Sequence, residues 1–374
     1  MGLFSLDDAV LYAVSEEDKV LAKGIAKHAG IEYRELKHHR FANGALQTNL
    51  QGSVRGKFVV FVGSVVGDID KCMAHLTLAV RTARDSHAER ILVVLPYTVY
   101  CRSDKKDEPY TAWGLDHFAD QIQMAGAWGV LLCDLHNEAS AVSFKINRDV
   151  VTARKSLLDY VEENFNIGAV VAADSGGVKH SRKIAEKRLG VLHGVVDKIR
   201  SSGGSTTNST GVFGVDVKGL NVLVFEDEYA TGGTAYDTAE HIWRAGAKNV
   251  YLACSHAVFC SKKPLAGPII AMATAHAEVM TTGQNEKAVF MDILQALFSS
   301  TGPDGSDVID NARIYTKIIS TNTCPMTSLK QELIDREKLL VLDVSPEIGK
   351  SVKHIIAGIP LGHLIEYSNG EAND

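Results

Sequence analysis

No stretch of the 374 residues approaches the roughly 20 consecutive apolar residues of a membrane-spanning helix, so helical membrane spans are not expected. A basic excess is missing too. Lys and Arg number 39 against 45 Asp and Glu, a net charge of −6, which gives no electrostatic reason to expect a nucleic acid partner. The six cysteines (Cys72, Cys101, Cys133, Cys254, Cys260, Cys324) lack the paired spacing of a metal site. Cys72, Cys133 and Cys254 fall in apolar runs, as buried thiols of a reducing compartment do. The opening residues carry no basic segment of the secretory kind, and Leu6 breaks the myristoylation pattern. A cytoplasmic location is the expectation. There is also no G-x-x-x-x-G-K-[ST] loop, which excludes the ordinary P-loop kinases.

What the chain does have is length enough for two cores and a regular alternation of strand and helix patterns. Strands are expected at Ala9–Val14, Glu32–Leu36, Lys57–Val62, Arg90–Leu95 and Gly129–Cys133. Helices are expected between them at Glu16–Ala29, Asp68–Arg84 and Leu115–Ala125. A second α/β set follows: helices Arg154–Asn164, Lys179–Leu189 and Tyr236–Arg244, with strands Ala169–Ala172, Gly190–Val196, Val222–Phe225 and Val250–Cys254. Leu339–Val344 reads as a late strand and Pro346–Ile356 as a terminal helix. Such alternation predicts parallel sheets covered on both faces. The division is expected near residue 150, giving an N-terminal domain 1–150 and a C-terminal domain 151–374. Ser201–Thr210, almost wholly Ser, Gly, Thr and Asn, reads as a mobile loop. Residues 261–312 depart from the alternation, with Asn285–Phe298 patterned as an amphipathic helix.

The chemistry-bearing residues gather at strand ends. Val222–Phe225 is followed by Glu226 and Asp227, and then by Thr231-Gly232-Gly233-Thr234 opening a helix. Glycines let backbone N–H groups close on an anion, and threonine hydroxyls and the helix dipole favour phosphate there. The two acids can hold sugar hydroxyls or a hydrated metal. Many strand–glycine–helix turns bind nothing, so this loop alone does not decide. A second such turn, Asp174-Ser175-Gly176-Gly177, follows Ala169–Ala172. Asp134-Leu135-His136 leaves the end of Gly129–Cys133, where a polar turn with a hydrogen-bonded histidine is the plainer reading. Arg102 and Asp104 belong to a charged loop after Arg90–Leu95, and a run of mixed charge is usually a solvated loop.

Taken together, Glu226 to Thr234, Asp174 to Gly177, Asp134 to His136, the Arg102–Asp107 run and Lys198-Ile199-Arg200 resemble the motifs of the ribose-phosphate pyrophosphokinases. Ser255-His256-Ala257-Val258-Phe259 and Ser320-Thr321-Asn322-Thr323 extend the likeness over most of the chain outside 261–312, which reads as an insertion. The resemblance implies two tandem phosphoribosyltransferase-like α/β domains with mainly parallel sheets flanked by helices. It implies ATP and a ribosyl 5-phosphate as substrates, Mg2+ as cofactor, and a homo-oligomer. By the same resemblance Phe41, Asn43, Arg102, Asp104 and His136 contact ATP. Asp174, Gly176, Gly177, Glu226, Asp227, Thr231, Gly232, Gly233 and Thr234 hold the acceptor. His136 and Asp174 bind metal, and Lys198 and Arg200 are catalytic.

The pattern also departs from the family. Phe41-Ala42-Asn43-Gly44-Ala45 stands where the family has Phe-Ser-Asp-Gly-Glu, so two carboxylates that read adenine are missing. Ala230 replaces an aspartate and Glu226 an aspartate. These changes leave a bulkier acceptor such as ADP-ribose open. A phosphoribosyltransferase fits the Glu226–Thr234 stretch equally well but explains neither Asp134-Leu135-His136 nor Lys198-Ile199-Arg200. A non-catalytic regulatory homologue is a third reading.

Overall fold

The computed structural model describes residues 4–103, 109–200, 207–230, 233–259, 314–326, 328–335 and 337–362. Residues 261–312 and the Asn285–Phe298 pattern lie outside the described residues. The chain forms two compact units. The first comprises Met1–Leu157, Thr321–Met326 and Val341–Asp374; the second comprises Leu158–Ser320 and Thr327–Leu340.

In the first unit a six-stranded sheet runs β2-β1-β5-β6-β7-β8, parallel throughout. Its strands are β1 (Ala9–Ala13), β2 (Glu32–Arg34), β5 (Phe58–Val62), β6 (Arg90–Leu95), β7 (Gly129–Cys133) and β8 (Asn147–Val151). Every residue of β1, β5 and β7 is buried, because helices cover both faces and leave no solvent side to favour alternation. One face packs on α2 (Ile69–Asp85) and α3 (Gly114–Ala125) through Leu76, Ala79, Phe118 and Ile122. The other packs on α1 (Lys19–Ala29) through Leu21 and Ile25. Beside α1 on that second face lies the C-terminal helix of the unit (Ser345–Ala357), through Val352 and Ile356. The two helices meet closely. A Cβ on Gly349 would lie 2.6 Å from His28 Cβ and 2.8 Å from Ile25 O, and one on Gly24 would collide with Ser345 Oγ.

The segment expected as one strand, Glu32–Leu36, divides. β2 ends at Arg34, and β3 (Leu36–Arg40) then pairs antiparallel with β4 (Leu46–Leu50) as a separate hairpin around Phe41–Ala45. Its polar sequence hides it from periodicity.

The second unit carries β9 (Ala169–Ala172), β10 (Leu192–Arg200), β11 (Thr207–Phe213), β12 (Asn221–Tyr229), β13 (Asn249–Ala257), β14 (Lys317–Thr321) and β15 (Leu339–Leu342). They are ordered β11-β10-β9-β12-β13-β14-β15, with β10–β11 antiparallel and the pairs from β10 through β14 parallel. The chain leaves β9 to place β10 on one side and later β12 on the other. The carboxyl ends of β9 and β12 therefore flank a topological switch point, where open α/β sheets hold ligands. Two helices follow these strands, α5 (Val178–Lys183, continued by a π-helical segment Ile184–Leu189) and α6 (Gly233–Arg244). α4 (Arg154–Asn164) precedes β9, α7 (Ser328–Asp335) lies between β14 and β15, and the helix Ser345–Ala357 is α8.

Two expectations are corrected here. Ser201–Thr210 is not loop throughout, because Thr207–Thr210 already belongs to β11 and pairs with β10. The strand expected to stop at Phe225 continues through both acids to Tyr229, in parallel register with β13 as far as Tyr229 opposite Ala257. Acidic residues in a strand are tolerated where it projects past its neighbour on one side, and β9 pairs with β12 only at Val222–Val224.

Candidate active site

In the second unit, Asp174 and Glu226 leave adjacent parallel strands at the same end. Asp174 comes three residues after Val171, the register partner of Val224, and Glu226 comes two residues after Val224. Asp174 is half-buried, and its Oδ1 accepts the Gly177 N–H at 3.0 Å, folding the Asp174–Gly177 turn back on its own carboxylate. A Cβ on Gly176 would come within 3.1 Å of that Oδ1, a tight approach that the carboxylate would have to yield to. Gly233 and Thr234 begin α6; Thr231 and Gly232 lie outside the described residues.

The continuation of β12 changes how its acids are arranged. Successive side chains of a strand alternate between faces. Glu226 and Glu228 therefore share one face, and Asp227 lies on the other with Phe225 and Tyr229. All three carboxylates are half-buried. Glu226 stands in register with Cys254, and Glu228 with His256, which is buried. Burial pushes the Cys254 thiol up to about 12, so it is a neutral side chain and no nucleophile. Burial likewise raises the Tyr229 and Tyr315 phenols, and the Tyr315 hydroxyl donates to Ala235 O at 2.7 Å, tying the core to the first turn of α6. Glu228 and His256 were not singled out as site residues from sequence. The clue was an acid two positions beyond Glu226, which reveals a shared face only once the strand is known to continue.

Lys198 and Arg200 fall on the last residues of β10, with Lys198 opposite Ser209 and Arg200 opposite Thr207 in the β10–β11 pairing. A register irregularity lies between Asp197 and Lys198.

In the first unit the Asp134-Leu135-His136 turn divides its roles. Asp134 is 3% exposed, with φ +42°. Its Oδ1 accepts Thr152 Oγ1 at 2.6 Å, its Oδ2 accepts Ala153 N at 2.8 Å, and Arg154 Nε lies 3.4 Å away. It is a structural tie between the end of β7 and the start of α4. His136 is exposed. Arg102 is also exposed, on the loop after β6, which is held by Ser103 N donating to Tyr100 O at 2.8 Å. Asp104 lies outside the described residues. Phe41 and Asn43 sit at the tip of the β3–β4 hairpin. Phe41 is 46% exposed and meets His39 edge-on at 4.8 Å. Asn43 Oδ1 accepts Ala45 N at 3.1 Å, and Arg40 Nη1 donates to Gly44 O at 2.7 Å, so the tip is closed by its own groups.

With this geometry described, comparison with known proteins identifies the family. Residues 10–126 match the model of the N-terminal domain of ribose phosphate pyrophosphokinase. The chain is 34% identical over 277 residues to the ribose-phosphate pyrophosphokinase of Chlorobaculum tepidum, covering 73% of this chain and 80% of that one. Ribose-phosphate pyrophosphokinase 1 of Streptococcus pneumoniae is 31% identical over 260 residues, 68% of this chain and 79% of that one. The chain belongs to the ribose-phosphate pyrophosphokinase family. The family is one of transferase enzymes, as the relatives' name of pyrophosphokinase implies. A chloroplastic ribose-phosphate pyrophosphokinase 1 from Oryza sativa is 33% identical over 242 residues, and that match spans 61% of the rice chain. The crystal structure of phosphoribosylpyrophosphate synthetase from Mycobacterium smegmatis superposes with a TM-score of 0.71 at 24% identity, over 94% of this chain and 99% of that one. It bears out the expected fold of mainly parallel sheets flanked by helices. No described helix is long and apolar enough to cross a membrane.

Proposed function

We propose that the protein is an ATP-dependent diphosphotransferase acting on ribose 5-phosphate. Two acid-bearing strand ends at the switch point of one sheet, Asp174 with its glycine turn and Glu226–Glu228 ahead of α6, in a chain of this family, carry the reading. The anomeric hydroxyl oxygen of the acceptor attacks the β-phosphorus of ATP, and a new P–O bond forms as the bond to the α–β bridging oxygen breaks. The β,γ-diphosphate passes to C1, AMP leaves with the bridging oxygen, and the hydroxyl proton is released. Glu226 and Asp227, from the two faces of β12, bind the ribose hydroxyls, Thr231–Thr234 the 5-phosphate, and Gly176 and Gly177 the diphosphate. Arg102 and His136 bind ATP, and Lys198 and Arg200 neutralise charge that builds on the transferred group.

The donor set suits magnesium. Among the described residues no group of three or more His, Cys, Asp or Glu could cage a metal. Mg2+ characteristically takes one or two carboxylates and completes its shell with substrate phosphates and water. Asp174, a half-buried carboxylate at the glycine turn, would hold it, and the ion would supply charge neutralisation to the phosphates. The test is to incubate the purified chain with Mg-ATP and a panel of ribosyl 5-phosphates that includes ADP-ribose, scoring AMP. AMP formed with ribose 5-phosphate supports the proposal. AMP formed only with ADP-ribose moves the acceptor to the bulkier class, for which Ala230 leaves room. Failure to form AMP with every acceptor sinks the reading.

A further inference from the structure

Behind the Asp174–Gly177 turn lies a chain of hydrogen bonds that the assigned residues do not include. Ser181, 2% exposed, donates both its backbone N–H and its hydroxyl to the Gly177 carbonyl, at 3.0 and 2.9 Å. On its other side the hydroxyl oxygen lies 2.8 Å from His193 Nε2. A hydroxyl has one proton to give. With that proton on Gly177 O, Ser181 Oγ accepts from His193, and Nε2 carries the hydrogen. Protonating the imidazole leaves this N–H in place, so the link holds in either charge state. Burial, with Arg182 nearby, keeps His193 below the usual histidine range, favouring the neutral ring. His193 stands on β10 opposite Val170 of β9, so the sheet itself anchors the donor. The Gly177 peptide N–H, for its part, goes to Asp174 Oδ1.

We propose that His193 is a positioning residue. Through Ser181 it fixes the Gly177 carbonyl, and across the Gly177 Cα the N–H that holds the Asp174 carboxylate, so that the turn meets the transferred diphosphate in one orientation. The inference rests on the assignment of Asp174–Gly177 to the diphosphate. One hydrogen bond removed from such a chain corresponds to roughly a three- to tenfold effect. It should fall on kcat, because the diphosphate is in transit in the transition state, while the KM for ribose 5-phosphate changes less than twofold.

The test compares His193→Phe, His193→Gln, Ser181→Ala and the double variant His193→Phe/Ser181→Ala in AMP formation from Mg-ATP and ribose 5-phosphate, with thermal midpoints recorded alongside. His193→Phe and Ser181→Ala should each lose three- to tenfold in kcat. His193→Gln, whose carboxamide N–H reaches the place of Nε2, should restore kcat to within twofold of wild type. The double variant should fall within twofold of Ser181→Ala alone, since both changes break one chain. Multiplying losses in the double variant, a Gln variant no better than Phe, or kcat losses that track the thermal midpoint would overturn the proposal. An active wild type with unchanged His193→Phe kinetics refutes the positioning role alone. A wild type that makes no AMP refutes the functional reading beneath it.

Discussion

Replacing Asp18 by asparagine should make the first unit more stable at pH 8 than the wild type, and the advantage should vanish towards pH 4. Asp18 is 3% exposed; its Oδ1 accepts Ser64 N at 3.0 Å and its Oδ2 accepts Ser15 Oγ at 2.6 Å. Burial pushes the carboxyl up to about 6, although the bonds from Ser15 and Ser64 pull the other way. The ordinary value is about 4, so between pH 4 and 6 the folded state binds more protons than the unfolded one. The stabilisation that protonated Asp18 gives is present below pH 4 and is lost as pH rises through 6. A shift of about two units corresponds to about 3 kcal/mol, with little solvent screening at so buried a site. Asparagine keeps an acceptor for Ser64 N and turns a donor towards Ser15 Oγ, so it is the neutral counterpart. His75 acts in the opposite sense over the same range, because burial pushes it down to about 4. That contribution is common to both proteins and cancels in their difference. The assay is urea unfolding at pH 4, 6 and 8, followed by Trp128, which packs on Phe58, with Trp113→Phe and Trp243→Phe in both backgrounds. A stability difference that does not change with pH, or that favours the wild type increasingly as pH rises, would refute the reasoning.

Three further outcomes are expected. Gly349→Ala should destabilise the first unit by about 1–3 kcal/mol in the same urea assay, because the new methyl meets His28 Cβ and the Ile25 carbonyl between α1 and α8. Lys198→Ala and Arg200→Ala should each lower kcat by about 10²-fold with a smaller change in the KM for ATP, measured as AMP release; near-normal turnover in both removes them from the mechanism. Asp227→Asn should raise the KM for ribose 5-phosphate without altering ATP binding, and 2-deoxyribose 5-phosphate should lose about tenfold in kcat/KM against ribose 5-phosphate.

The parts of the fold that were legible are those buried on both faces. Arg90–Leu95, Gly129–Cys133 and Ala169–Ala172 are continuous apolar runs between polar punctuation, and their observed bounds match the expected ones. β14, buried in the interior of its sheet, was also not picked out from sequence, whereas β3, β4 and β8 were missed because they have one wet side or an edge. β3 and β4 read Leu-Lys-His-His-Arg and Leu-Gln-Thr-Asn-Leu, and β8 reads Asn-Arg-Asp-Val-Val. Only pairing with a neighbour makes such segments strands, and no local window contains the neighbour. The acids and glycines of the candidate site could be read locally, since each motif is a short run at a strand end. The Ser181–His193 bond could not, because it requires β10 to return beside α5. The alternation of Glu226, Asp227 and Glu228 was hidden by the same cause as the length of β12, whose last residues are held by register with β13 rather than by apolar side chains.

The two sheets use the same topological feature for opposite ends. In the first unit the chain leaves β1 for β2 on one side and later β5 on the other, so the carboxyl ends of β1 and β5 also flank a switch point. There the groups bond to one another. Asp18 binds Ser15 and Ser64, and Ser64 Oγ donates to Thr323 O at 2.7 Å. Asn322 beside it bridges Asp343 Oδ1 at 2.7 Å and Val344 N at 3.0 Å, fastening the returning chain to the start of α8. A position that topology makes available to a ligand is filled by the protein's own backbone and buried hydroxyls. In the second unit the corresponding ends carry Asp174 with two glycines, and three half-buried acids ahead of α6. Glycines remove side chains from the space beside the backbone, so these ends leave room where those of the first unit are filled. That room is the physical reason to look there for the acceptor, and to look for ATP contacts in the first unit away from its closed switch point, at Arg102 after β6 and His136 after β7.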